Sequence, residues 1–173
     1  MRGRKRAYKT AAASILAALA VLVLYLGSLF PTGRWGLAAV AGLMPAAAII
    51  SAGISAGALC WAGTAILAFF LVSDKLTVLL FGVLFGVYPL VKNIIERLRR
   101  PLVEWPLKLI FFNCVFSLIY LTMKTAVLAS LPASLSVVWA LYLVGNIVFL
   151  LYDYGFSRLI SLYMARVGGM GRR

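Results

Sequence analysis

The stretch "GLAAVAGLMPAAAIISAGISAGALCWAGTAILAFFLVS", residues 36–73, contains no charged side chain. A helix that crosses a bilayer needs about 20 apolar residues. This run is too long for one crossing and just long enough for two short ones. "SAGISAG", residues 51–57, is the natural place to reverse, which predicts spans over about 36–51 and 56–72. The first is short and contains Pro45. It either crosses as a broken helix or re-enters, and irregular backbone at that depth is tolerated only where protein or a cavity covers it.

Working outward, the rest of the chain has the same character. Of its 173 residues, 64% are hydrophobic, and the mean hydropathy is +1.04. A soluble domain is nearer 45–50% apolar, so the composition is that of an integral membrane protein in one domain. Upstream, "AAASILAALAVLVLYLGSLF" forms a first span over about 9–30, longer than a signal-peptide core and with no clear cleavage site. Downstream, spans are predicted over about 76–96, 107–123 and 134–154. The connections are "SDK", the two-proline loop "RLRRPLVEWP" and "KTAVLASLPAS". The tail has apolar residues at 156, 159, 160, 163, 164 and 167, the period of an amphipathic helix lying on the membrane surface. The expected fold is an all-α bundle of about six transmembrane helices with an amphipathic C-terminal surface helix.

There are 17 Lys and Arg against 4 Asp and Glu, a net charge of +13. The basic residues sit in short flanks of apolar runs, too short to build a nucleic-acid groove, so lipid headgroups are the expected counterpart. Arg2, Arg4, Lys5, Arg6 and Lys9, Arg97, Arg99 and Arg100, and Arg158, Arg166, Arg172 and Arg173 fall on one side. Arg34, Lys75 and Lys124 fall on the other. The positive-inside rule then predicts a multi-pass protein of the cell membrane with both termini cytoplasmic. There is no His, and Cys60 and Cys114 lie within apolar runs. No metal, cofactor or catalytic residue is expected, and no nucleophile–base pair or paired acids point to an enzyme.

The halves differ. The first three spans are rich in small residues, with Ala13 and Ala17, and Gly53 and Gly57, each one turn apart. Such residues let helices approach closely, either within the bundle or against a partner. The last three spans carry polar stripes at helical spacing. These are Tyr88, Lys92 and Glu96; then Asn113, Ser117 and Tyr120; then Trp139, Tyr142, Asn146 and Asp153. Polar groups are costly in hydrocarbon, so these faces are expected to point inward. A ligand pocket formed by Tyr88, Asn113, Ser117, Tyr120, Trp139, Tyr142 and Asn146 is one reading. Mutual pairing of Asn113 and Asn146, with Trp139, Tyr120, Tyr152, Tyr154 and Trp105 in aromatic belts, is the other. At about 1.5 Å per residue, Lys92 lies about 7 Å inside the boundary marked by Arg97. Its stem is expected to snorkel outward, with Glu96 neutralising it. Pro89, deeper, frees a backbone carbonyl and is expected to kink the fourth span.

Six short spans, a tight first turn, the segment Ala13-Ser-Ile-Leu-Ala17 and the passage "LFPTGRWGLAAVAGLMPAAAIISAGISAGALCWAG" resemble the substrate-binding subunit of energy-coupling-factor (ECF) transporters. The resemblance implies capture of a small micronutrient from outside and delivery through a transmembrane coupling subunit driven by ATPases. By resemblance, Ala13 and Ala17 would be coupling contacts and the stripes on the later spans would hold the ligand. The lack of His argues against nickel or cobalt as that ligand. The alternative from another class is a non-enzymatic membrane scaffold or assembly factor whose partners, other membrane proteins, pack on the small-residue faces and bind the basic loop.

Overall fold

The computed structural model describes residues 2–30, 33–122, 124–125 and 138–170. The described residues form helices α1 (Arg2–Leu29), α2 (Arg34–Ala41), α3 (Leu43–Ala52), α4 (Ile54–Leu71), α5 (Lys75–Leu80), α6 (Tyr88–Glu96), α7 (Pro101–Thr122) and α8 (Val138–Met170), with a π-helical turn, Phe81–Phe85, between α5 and α6. They make six stretches long and apolar enough to cross a membrane: Ala7–Leu29, Arg34–Ala52, Ile54–Leu71, Lys75–Glu96, Leu102–Thr122 and Val138–Leu162. Large apolar side chains cover the outside, with Leu102 91% and Phe70 78% exposed. A water-facing surface does not carry such a continuous apolar coat, whereas a lipid-facing one does.

The uncharged stretch does reverse where its glycines lie. Gly53 takes φ +92, a left-handed value that glycine adopts without penalty, and α4 begins at the next residue. The second span is a broken helix, interrupted at Gly42. Pro45, in the first turn of α3, has no N–H to offer the carbonyl of Ala41, so the α-helical ladder cannot run through. The first three spans pack through alanines. Ala13 and Ala17 of α1 are buried against Ala48, Ala56 and Cys60. The Thr64 hydroxyl donates to the Cys60 carbonyl at 2.8 Å and lies 3.4 Å from that of Ala17, which ties α4 to α1. At Gly57, an added Cβ would sit 2.2 Å from Ile49 Cγ1.

The fourth span is the irregular one. Pro89 cannot donate to the Phe85 carbonyl, and one turn earlier the Gly86 N–H bonds five residues back to Phe81 at 2.7 Å. The Gly82 carbonyl, left over by that wide turn, accepts from the Trp61 indole N–H at 2.8 Å. Gly42 lies against the Phe85 carbonyl, and a Cβ there would be 2.6 Å from that oxygen. The break in the second span and the widened turn in the fourth thus fit together. At the end away from the termini, Asp74 caps α5 by accepting from Leu76 N at 3.2 Å and from the Thr77 hydroxyl at 2.6 Å. Arg34 pairs with it at 3.2 Å.

Two expectations need correction. The loop "RLRRPLVEWP" shrinks to residues 97–100, because Pro101 starts α7 and Pro106 lies within that helix. Proline is tolerated at a helix's first position, and Pro106 still falls early in α7. The C-terminal segment is not a separate surface helix. It continues α8 without interruption, since Gly155 alone does not break a helix. Phe156 is buried against Tyr88 and Tyr152. Residues 134–137, the expected start of the sixth span, lie outside the described residues.

Candidate functional site

Two features lie among the last three spans, one above the other. In the half of the bundle away from the termini is a cavity of about 260 Å³. Trp35 of α2, Leu76 and Leu80 of α5, and Leu84 and Phe85 of the π turn form one side. Phe112, Phe116 and Ile119 of α7 and Leu141, Val144, Gly145, Val148, Phe149 and Tyr152 of α8 complete it. The π turn has a direct role here. In a straight α-helix, residues 76 and 88 would point roughly 120° apart. The wide turn lets Leu76, Leu80, Leu84 and Tyr88 join one buried cluster with Phe112, Ile119, Leu141 and Phe149. Phe112 stacks on Phe149 at 4.6 Å and on Phe116 at 5.4 Å between ring centroids. The wall is almost wholly carbon. Two side-chain polar atoms of its lining residues, Trp35 Nε1 and the Tyr152 hydroxyl, are buried, recessed and without a hydrogen-bond partner among the described residues.

Toward the termini lies a cluster of four charges. Lys92 and Asp153 form an ion pair with each side chain only 3% exposed, and the Tyr88 hydroxyl donates to the same carboxylate. Lys108, 6% exposed, pairs with Asp153 at 3.2 Å and with Glu96 at 2.8 Å. Lys92 also reaches Glu96 at 2.8 Å and donates to Ser157 at 2.9 Å. Glu96 is 42% exposed and forms the solvent-side edge. Two cations and two anions cancel formally. Buried charges at this depth persist only when so paired. The sharp turn at 97–100, with Arg99 at φ 51, lets α7 fold back so that Lys108 meets Glu96. The cluster therefore joins the fourth, fifth and sixth spans beneath the cavity.

The residues expected to hold a ligand are placed otherwise. Asn113 and Asn146 hydrogen-bond each other reciprocally at 2.9 and 3.1 Å, and each amide also donates to its own helix, at Leu109 and Tyr142. Ser117 and the Tyr142 hydroxyl pair at 2.6 Å. Tyr88 is committed to Asp153. Tyr120 packs beside the buried cluster with the Lys124 ammonium 6.0 Å from its ring centroid. Trp139 is 71% exposed, on the outside of the bundle. The three stripes do meet, yet their polar groups mostly satisfy one another, and none of these seven residues lines the apolar cavity.

Three further expectations change. Lys92 does not snorkel, because Asp153 across the bundle offers a nearer, water-free partner. Tyr152 is no belt residue; its ring lies 5.2 Å from Phe85 and 5.8 Å from Tyr88. Ala13 and Ala17 are covered by this chain's own helices and present no face to a partner. Lys108 and Trp35 had no place in the sequence reading. The signal for Lys108 was a lone cation inside an apolar run, and Asp153 was its acidic counterpart. Among the described residues, no group of three or more His, Cys, Asp or Glu side chains could hold a metal ion. No family model matches the chain, and no curated protein or solved structure is significantly similar to it.

Proposed function

We propose that this chain is a membrane-embedded ligand-binding protein, and more particularly a substrate-binding subunit of ECF type working with an ATP-driven coupling module. The observation that carries the first step is the cavity among the later spans, closed on one side by Trp35 at the start of the second span. A preformed, mostly apolar hollow in a bundle is the usual form of a small-molecule site. With the termini cytoplasmic, that hollow lies in the outer half of the membrane, on the side from which a nutrient would arrive, and the paired charges lie toward the inner side. The second step rests on the six-span pattern and its resemblance.

Ala13 and Ala17, the coupling contacts that the resemblance implied, are filled from within. A coupling subunit packing on α1 would meet the exposed small residues Ala7, Ala11, Ser14 and Ala18 instead. Native mass spectrometry of the protein purified in mild detergent tests both steps. A retained small molecule supports the ligand site, and co-purified coupling and ATPase subunits support the ECF assignment. Partner proteins with no small molecule, in preparations from nutrient-replete cells, would favour the scaffold.

A further inference from the structure

We infer that the group bound in this cavity is an uncharged, planar aromatic unit about the size of two fused rings. The inference rests on reading the cavity as the ligand site and specifies its chemistry. Size comes first. A dry cavity of about 150 Å³ lined by aliphatic and aromatic side chains takes up benzene. The cavity here, at about 260 Å³, is about 1.7 times larger and matches a bicycle.

Polarity comes next. Trp35 Nε1 and the Tyr152 hydroxyl are recessed in the wall, and no charged side chain lines it. The nearby cations and anions are committed to one another in the cluster below. A charged ligand group would lose its hydration with nothing to replace it. Shape is the third argument. Six of the lining residues are aromatic, namely Trp35, Phe85, Phe112, Phe116, Phe149 and Tyr152. Ring faces and edges reward a flat aromatic partner beyond simple area burial.

The test uses naphthalene, its saturated counterpart decalin, and anionic 2-naphthoate as probes. Saturable binding is measured by equilibrium dialysis of the full chain in detergent. The parent is compared with Gly145→Leu, whose new side chain grows from the cavity wall toward Phe112, 3.4 Å from the position of an added Cβ. Thermal unfolding of the variant establishes that it is folded. If Gly145→Leu does not fold, Val144→Phe fills the same space. The expected result is naphthalene binding in the parent that the filled variant loses. Decalin should bind roughly 2- to 12-fold more weakly. 2-Naphthoate should be at least about 100-fold weaker.

Decalin binding as well as naphthalene would overturn the aromatic assignment and point to a saturated chain, such as a lipid tail, while leaving the site intact. Tighter binding of 2-naphthoate would overturn the neutral assignment, again leaving the site. No saturable difference between parent and filled variant for any probe would overturn both this inference and the ligand-site reading beneath it.

Discussion

Replacing Asp153 by Asn keeps the side chain's shape and removes its charge. In the parent this carboxylate meets Lys92, Lys108 and the Tyr88 hydroxyl. Without it, two ammonium groups share Glu96, and the cluster carries one uncompensated positive charge. Breaking a buried pair by removing one partner costs about 3–5 kcal/mol, because the remaining charge stays out of water. For a chain of this length, each kcal/mol corresponds to roughly 2–4 °C in Tm. Asp153→Asn should therefore lower the midpoint of thermal unfolding in detergent by roughly 6–20 °C. The double variant Asp153→Asn with Lys108→Met restores neutrality, leaves the Lys92–Glu96 pair, and lets the new amide oxygen still accept from Tyr88. Its remaining cost should fall to about 1–2 kcal/mol, that of the weakened hydrogen bonds. Glu96→Gln should cost less than Asp153→Asn, since water reaches the half-exposed Glu96 edge and can solvate what is left. A double variant no more stable than Asp153→Asn alone would refute the reasoning, as would a single variant within about 1 kcal/mol of the parent.

The amide pair gives a second expectation. Asn146→Leu strands Asn113 and should destabilise the bundle by about 1–3 kcal/mol, while Leu at both positions restores most of the loss; denaturant unfolding of the three variants checks this. Gly42→Ala drives a methyl group to 2.6 Å from the Phe85 carbonyl oxygen, which is backbone and cannot rotate away. It should cost about 1–3 kcal/mol by thermal unfolding, whereas Gly36→Ala, with nothing within 4 Å, should be nearly neutral or stabilising. For orientation, cysteine placed at Arg34 or Lys75 should react in intact cells with an impermeant thiol reagent, and cysteine near the N-terminus should not. Labelling of the terminal cysteine alone would reverse the proposed topology.

The sequence by itself determined that the chain carries six helices long and apolar enough to cross a membrane, and that the uncharged stretch reverses at Gly53. Helix length against bilayer thickness, the absence of charge over residues 36–73, and Gly53 at the reversal are one-dimensional facts, and six helices of spanning length follow from them. Pro45 and Pro89 likewise announced irregular backbone, because a missing N–H is visible in the chain. What only the tertiary structure decided was which faces meet. Sequence periodicity assumes a straight α-helix, and the π turn at Phe81–Phe85 and the break at Gly42 reset the register of the faces that follow them. The tight turn at 97–100 added a further surprise by extending α7 back to Pro101, which carried Lys108 into reach of Glu96. Lys92 could be read as a snorkelling side chain only while Asp153, 61 residues away, had no place in space. The cavity was invisible for the same reason. Its lining comes from α2, α5, the π turn, α7 and α8, and each contributes ordinary apolar residues. A hollow is a property of how those surfaces fail to fill the space between them, and no single segment of sequence records it.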